Sequence, residues 1–210
     1  MKTIFAPAQP PTHRPAWLVV LSLLMLLHGG VWLVGALTNL RDPRLLATLS
    51  VGDTTETADE LELHRKIVNV TQGILLGHHA EIRAVTLTAV VLALFMLYAV
   101  AAILSRDKHG RGLALSSAWL VLLYQLGSLP VFLRIARDHA TQSAPLFAQL
   151  LSRGNEGADQ AAVLRKLTSV IMVEPYLLSA CGVGWALLLL AYFGGRRGRA
   201  LYGIAASPPA

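Results

Sequence analysis

Four stretches of the chain are nearly free of charge, and they set the architecture. Residues 15–40, 84–105 and 112–133 contain no Asp, Glu, Lys or Arg, and residues 167–195 contain one, Glu174. As a helix rising about 1.5 Å per residue, each is long enough to cross the ~30 Å of bilayer hydrocarbon. The pattern predicts spans at about 16–38, 82–104, 112–134 and 168–194. The expected fold class is therefore an all-α membrane protein, a four-transmembrane-helix bundle. The first stretch follows Arg14 and so resembles a secretory signal. It exceeds the roughly 7–15 apolar residues of a signal core and lacks a small-x-small cleavage site behind it, so it is expected to stay as a span.

The connections are unequal. Ser105 to Arg111 is short, whereas 39–81 and 135–167 are long. Both long loops therefore share one side of the membrane, and the termini and the short loop share the other. In the first long loop Asp53-Thr54-Thr55-Glu56 carries helix-start chemistry. Apolar residues then recur at Leu61, Ile67, Val68, Val70, Ile74 and Leu75, close to helical spacing. The second loop reads as a helix near 144–152, a Gly-rich turn at 154–157, and a helix from about 159 running into the fourth span. Together these predict a small helical cap on the extracytoplasmic face. Residues 1–15, with Pro7, Pro10, Pro11 and Pro15, read as a loose tail, and 195–210 as a basic one.

Composition agrees with this reading. Charged residues make up 14% of the chain, against about 25% in soluble domains. The net charge of +6 would suggest nucleic acid in a soluble protein. Here the basic residues flank apolar runs, so they report membrane topology and no nucleic-acid partner is expected. The terminal side carries Lys2, Arg14, Arg106, Lys108, Arg111, Arg196, Arg197 and Arg199 against one acid, Asp107. The long-loop side spreads its basic residues more thinly among many acids. Both termini are therefore expected in the cytoplasm. The richness in Leu, Ala and Arg suggests a bacterial inner membrane.

Ionisable residues within spans are costly and mark function by default. Glu174 sits two turns into the fourth span, before Pro175 and near Tyr176. The third span brings Tyr124 and Gln125 one turn below Pro130, with Arg134 at its end. The first brings His28 beside Gly29 and Gly30. If these faces converge, they form an outward polar pocket whose binding candidates are Glu174, Gln125, His28, Tyr124, Tyr176 and Arg134. The plainer reading makes the same groups helix-to-helix glue, with Glu174 paired to Arg134, Arg137 or His28.

Metal chemistry rests on the histidines of the long-loop side. His78 and Glu81, at i and i+3, could share an ion, with His64 and His139 as further ligands. Adjacent His78 and His79 point about 100° apart on a helix and could not. A bis-histidine haem would need His28 paired with His78 or His79. No HExxH, CxxC, P-loop, G-x-S-x-G or G-x-G-x-x-G motif is present, so no cofactor is specified. Cys181 is the only cysteine. It lies in a small-residue run, Ser179 to Gly184, of the kind that lets helix backbones approach closely.

The residues favour a non-catalytic subunit or assembly partner of a membrane complex. Its partners would be the lipid bilayer and other membrane subunits or a second copy. The alternatives are a transporter or small-molecule or lipid-binding protein built on the Glu174 pocket, and a metal- or haem-dependent redox protein.

Overall fold

The computed structural model describes residues 16–41, 58–105, 107–153 and 159–202, and among these every regular element is a helix. They are α1 (Ala16–Arg41), α2 (Ala58–Gly77), α3 (His79–Leu104), α4 (Gly110–Asp138), a π-helical turn (His139–Ser143), α5 (Ala144–Arg153), α6 (Gln160–Gly194) and the short α7 (Arg196–Leu201). Four of the helices, α1, α3, α4 and α6, are long and apolar enough to cross a membrane. With no water in hydrocarbon to satisfy backbone groups, a helix that bonds all of them internally is the structure such runs can adopt. The chain is an integral membrane protein of the four-helix class.

Sequential spans pack as antiparallel neighbours: α1 on α3, α3 on α4, α4 on α6. Depth can be read from the contacts. At the terminal end Gly110 abuts the Ala102 carbonyl, and Arg111 Nε donates to the Phe193 carbonyl at 2.8 Å. Midway, Gly29 faces Ala93 and Leu97, and Gly182 faces Gln125. At the cap end Arg134 reaches Glu81. Pro130 and Pro175 lie inside α4 and α6, which continue past them.

The spans run further outward than their apolar cores require. α6 begins at Gln160, where the Asp159 side chain accepts from the Ala161 amide at 3.0 Å and caps the helix. The outer turns of α6, the π-helical turn, α5 and α2 pack on one another as the cap. α2 buries Leu63, Ile67 and Ile74, a helical stripe, while Leu61 stays exposed. Its first turn carries Asp59 and Glu60, which suit the positive end of a helix. The proposed helix start at 53–56, the turn at 154–157, the N-terminal tail and residues 203–210 lie outside the described residues, whereas the first part of the basic C-terminal tail forms α7.

The span core contains two apolar clusters at different depths. Toward the terminal end all four spans contribute apolar side chains, including Leu18, Met25, Ile103, Ala118, Leu189 and Phe193. A second cluster at mid-depth joins Leu92, Met96, Val121 and Ala186, flanked by Trp32 and Tyr124. Buried polar side chains occur along the depth of the bundle: Ser22 and Ser117 toward the terminal end, Gln125 and Ser179 midway, and Thr86 and Ser128 nearer the cap.

Candidate functional site

Two assemblies of polar and aromatic side chains lie at the cap end and at mid-depth, and neither includes Glu174. The outermost is ionic. His78 occupies the turn between α2 and α3. Its Nε2 lies 2.7 Å from Asp138 Oδ2 on α4, and its Nδ1 lies 3.1 Å from Glu81 Oε2. Glu81 Oε1 in turn accepts from Arg134 Nη1 at 2.8 Å. The cluster clasps the start of α3 to the end of α4. Donating from both ring nitrogens requires the imidazolium. The hydrogen bond to Asp138, then the one to Glu81, hold the His78 pKa above its ordinary value, against a smaller opposing effect of burial.

This cluster redirects the residues considered for metal binding. His78 and Glu81 do meet, but both His78 nitrogens are directed at carboxylates. His139 Nδ1 lies 3.2 Å from Ser143 Oγ one turn on, and His64 is on α2. Among the described residues no three His, Cys, Asp or Glu side chains converge as a metal set.

The second assembly is at mid-depth. The His28 ring lies 4.9 Å from Trp32 and 5.6 Å from Trp185, and Trp32 lies 5.1 Å from Tyr124. His28 Nε2 and Trp185 Nε1 are buried with no hydrogen-bond partner among the described residues. Gln125 is buried one position on from Tyr124, its side chain laid against Gly182 of α6. Ser179 Oγ reaches the Gln125 carbonyl at 3.5 Å, the long limit of a hydrogen bond. Because Gly29 adjoins Ala93, His28 sits about 15 residues of helix below His78, roughly 22 Å. Neither His78 nor His79 can join it as a second haem ligand.

Glu174 stands apart from both. It and Tyr176 are exposed, and Pro175 between them turns inward. Successive helix positions differ by about 100°, so only one of the three can face the core, and the inward stripe is Pro175, Ser179 and Gly182. Arg134, one of the three partners considered for Glu174 beside Arg137 and His28, is held by Glu81. The pocket envisaged around Glu174 is therefore not assembled among the described residues. Gln125, Tyr124 and His28 fall in the α1–α4–α6 core, Arg134 in the clasp, and Glu174 and Tyr176 on the outer surface of α6. Sequence reasoning missed Asp138, Trp32 and Trp185, although Trp32 one turn after His28 is a readable signal.

Two further features border these assemblies. A lateral cleft of about 500 Å³ opens between α3 and α4 below the clasp, with apolar walls that include Phe95 and Leu123. Thr88, Tyr124 and Ser128 also line it, and the Ser128 hydroxyl is buried with no partner among the described residues. On α6, Ala180, Cys181 and Gly184 are exposed below Glu174, and a Cβ on Gly184 would meet nothing within 4 Å.

No family model matches the chain, and no curated protein or solved structure is significantly similar to it.

Proposed function

We propose that this integral membrane protein is a non-catalytic subunit or assembly partner of a membrane complex, docking laterally through the cap-side half of α6. In this reading both termini are cytoplasmic and the cap is extracytoplasmic, as the denser basic charge at the terminal end favours. One observation carries the reading: α6 turns its single carboxylate, Glu174, away from its own bundle, above an exposed small-residue surface of Ala180, Cys181 and Gly184. Small residues let a second helix approach to backbone distance, and a carboxylate at the membrane rim offers that helix an ion pair.

Cys181 provides the test, since it is the sole cysteine and lies on the exposed surface. Oxidative or bifunctional crosslinking in native membranes should trap Cys181 to a second chain. Gly184→Leu should abolish the adduct and leave the thermal midpoint of the purified chain unchanged. A monodisperse single chain in mild detergent, with Cys181 freely alkylated in membranes, would reject the proposal.

A second reading, a protein that binds a small molecule or lipid from the bilayer, is supported by the α3–α4 cleft and the unpartnered Ser128 hydroxyl. It predicts that Gly127→Phe, at the cleft wall, displaces a co-purifying amphiphile. The redox reading draws no support from the positions of the histidines.

A further inference from the structure

The terminal end of the bundle combines an apolar groove with positive charge. The groove runs between α1 and α6 and holds about 520 Å³. Leu21, Leu24 and Leu188 line its inner part, Trp17 and Tyr192 lie nearer the terminal end, and Arg196 stands at that end. Arg196 is exposed and forms no ion pair among the described residues. Arg111 and Arg199 also lie at this end, where Arg111 Nε donates to the Phe193 carbonyl and Arg199 Nε to the Gly194 carbonyl.

Charge at this end is one-sided in the sequence as a whole. Lys2, Arg14, Arg106, Lys108, Arg111, Arg196, Arg197 and Arg199 face a single acid, Asp107. The Asp107 carboxylate already accepts from the His109 amide at 2.7 Å. Neither residues 1–15 nor residues 203–210 contain an Asp or Glu that could neutralise Arg196.

We propose that the α1–α6 groove is a binding site for one anionic phospholipid, its phosphate at Arg196 and an acyl chain along Leu21, Leu24 and Leu188. The order of residues matches the order of the lipid. Arginine stands at headgroup level, amphipathic Trp17 and Tyr192 at the interface where such rings settle, and leucines in the hydrocarbon. An arginine pairs well with phosphate. A net negative headgroup is selected because a zwitterionic one would bring its ammonium into the basic cluster. The headgroup end of the site, Arg196, lies about six turns of α6 from Glu174, while Leu188 at its inner end lies one turn beyond Gly184.

The test uses the full chain in nanodiscs of phosphatidylcholine with a minor fraction of phosphatidylglycerol, with retained lipid read by native mass spectrometry. The expected result is one retained phosphatidylglycerol per chain, enriched about fivefold over the bilayer ratio. Arg196→Gln should return the ratio to that of the bilayer. Ala191→Phe, which fills the groove without altering charge, should remove the retained lipid. Arg65→Gln, at an exposed arginine of α2, should leave it in place. Arg196 and Ala191 are both exposed, so the variants are expected to fold, as their elution and unfolding profiles will show. Retention of both lipids in bilayer proportion, or undiminished enrichment in Arg196→Gln, would overturn the proposal.

Discussion

His78 and Asp138 are 60 positions apart in the chain, yet His78 Nε2 lies 2.7 Å from Asp138 Oδ2. The contact closes the outer end of the α3–α4 pair as the packing of Gly110 on Ala102 closes the inner end. Glu81 and Arg134 extend the clasp, and His139 stands next to Asp138.

The clasp makes stability depend on pH. The Asp138 and Glu81 hydrogen bonds raise the His78 pKa in the folded chain. The stabilisation is therefore fully present below the unfolded value of about 6.5 and is lost as pH rises through the folded pKa. The thermal midpoint in detergent should fall between pH 6 and pH 8.5 in the wild type and change less in His78→Gln. Because Asp138 and Glu81 are partly exposed, the substitution should cost only about 1 kcal/mol at pH 6. An identical pH response in the variant would show that His78 does not carry the effect.

The spans were legible because a charge-free run of some 20 residues has one stable form in lipid. The direction of each side chain was not. A soluble helix betrays its inner face by apolar periodicity, but a span meets apolar surroundings on every side. Gln125 and Glu174 thus looked equivalent in sequence. One is buried against Gly182 and the other is turned outward. The clasp was hidden for a different reason: Asp138 reads as an ordinary helix-end charge until α4 is laid antiparallel to α3.

His28→Phe should leave stability unchanged or raise it. The imidazole contributes ring contacts to Trp32 and Trp185, which phenylalanine keeps, and a buried Nε2 with no partner among the described residues, which phenylalanine removes. Replacing an unsatisfied polar group by an apolar one of similar shape is close to neutral or favourable. A loss above about 2 kcal/mol in chemical unfolding would mean that Nε2 is engaged by an internal water, which buried polar sites commonly hold.

Gly182→Ala tests the fit between α4 and α6. Its new Cβ would strike the Gln125 amide nitrogen and Cδ, and approach Cγ at 2.8 Å. Overpacking of this kind costs about 1–3 kcal/mol. The loss should be largely recovered in the double variant Gly182→Ala with Gln125→Ala, because the obstructing side chain is gone. Strict additivity of the two single effects would argue against direct contact at this site.

Gly198→Ala should be the most disruptive of the single-methyl changes at glycines near the terminal end. A Cβ there would come within 2.6 Å of the Tyr192 carbonyl oxygen and 2.7 Å of the Phe193 Cα and carbonyl oxygen. These are backbone atoms, which cannot rotate aside, so α7 must lift from α6. The Phe193 carbonyl also accepts from Arg111 Nε, and displacing it would strain the link between α4 and α6. The expected cost is again about 1–3 kcal/mol. Gly112→Ala, two positions into α4 and open for 4 Å around its Cβ, should instead gain up to about 1 kcal/mol from helix propensity. Differential scanning of the two variants in one detergent should therefore move the midpoint in opposite directions. A shared direction would mean that α7 is not packed on α6 as described.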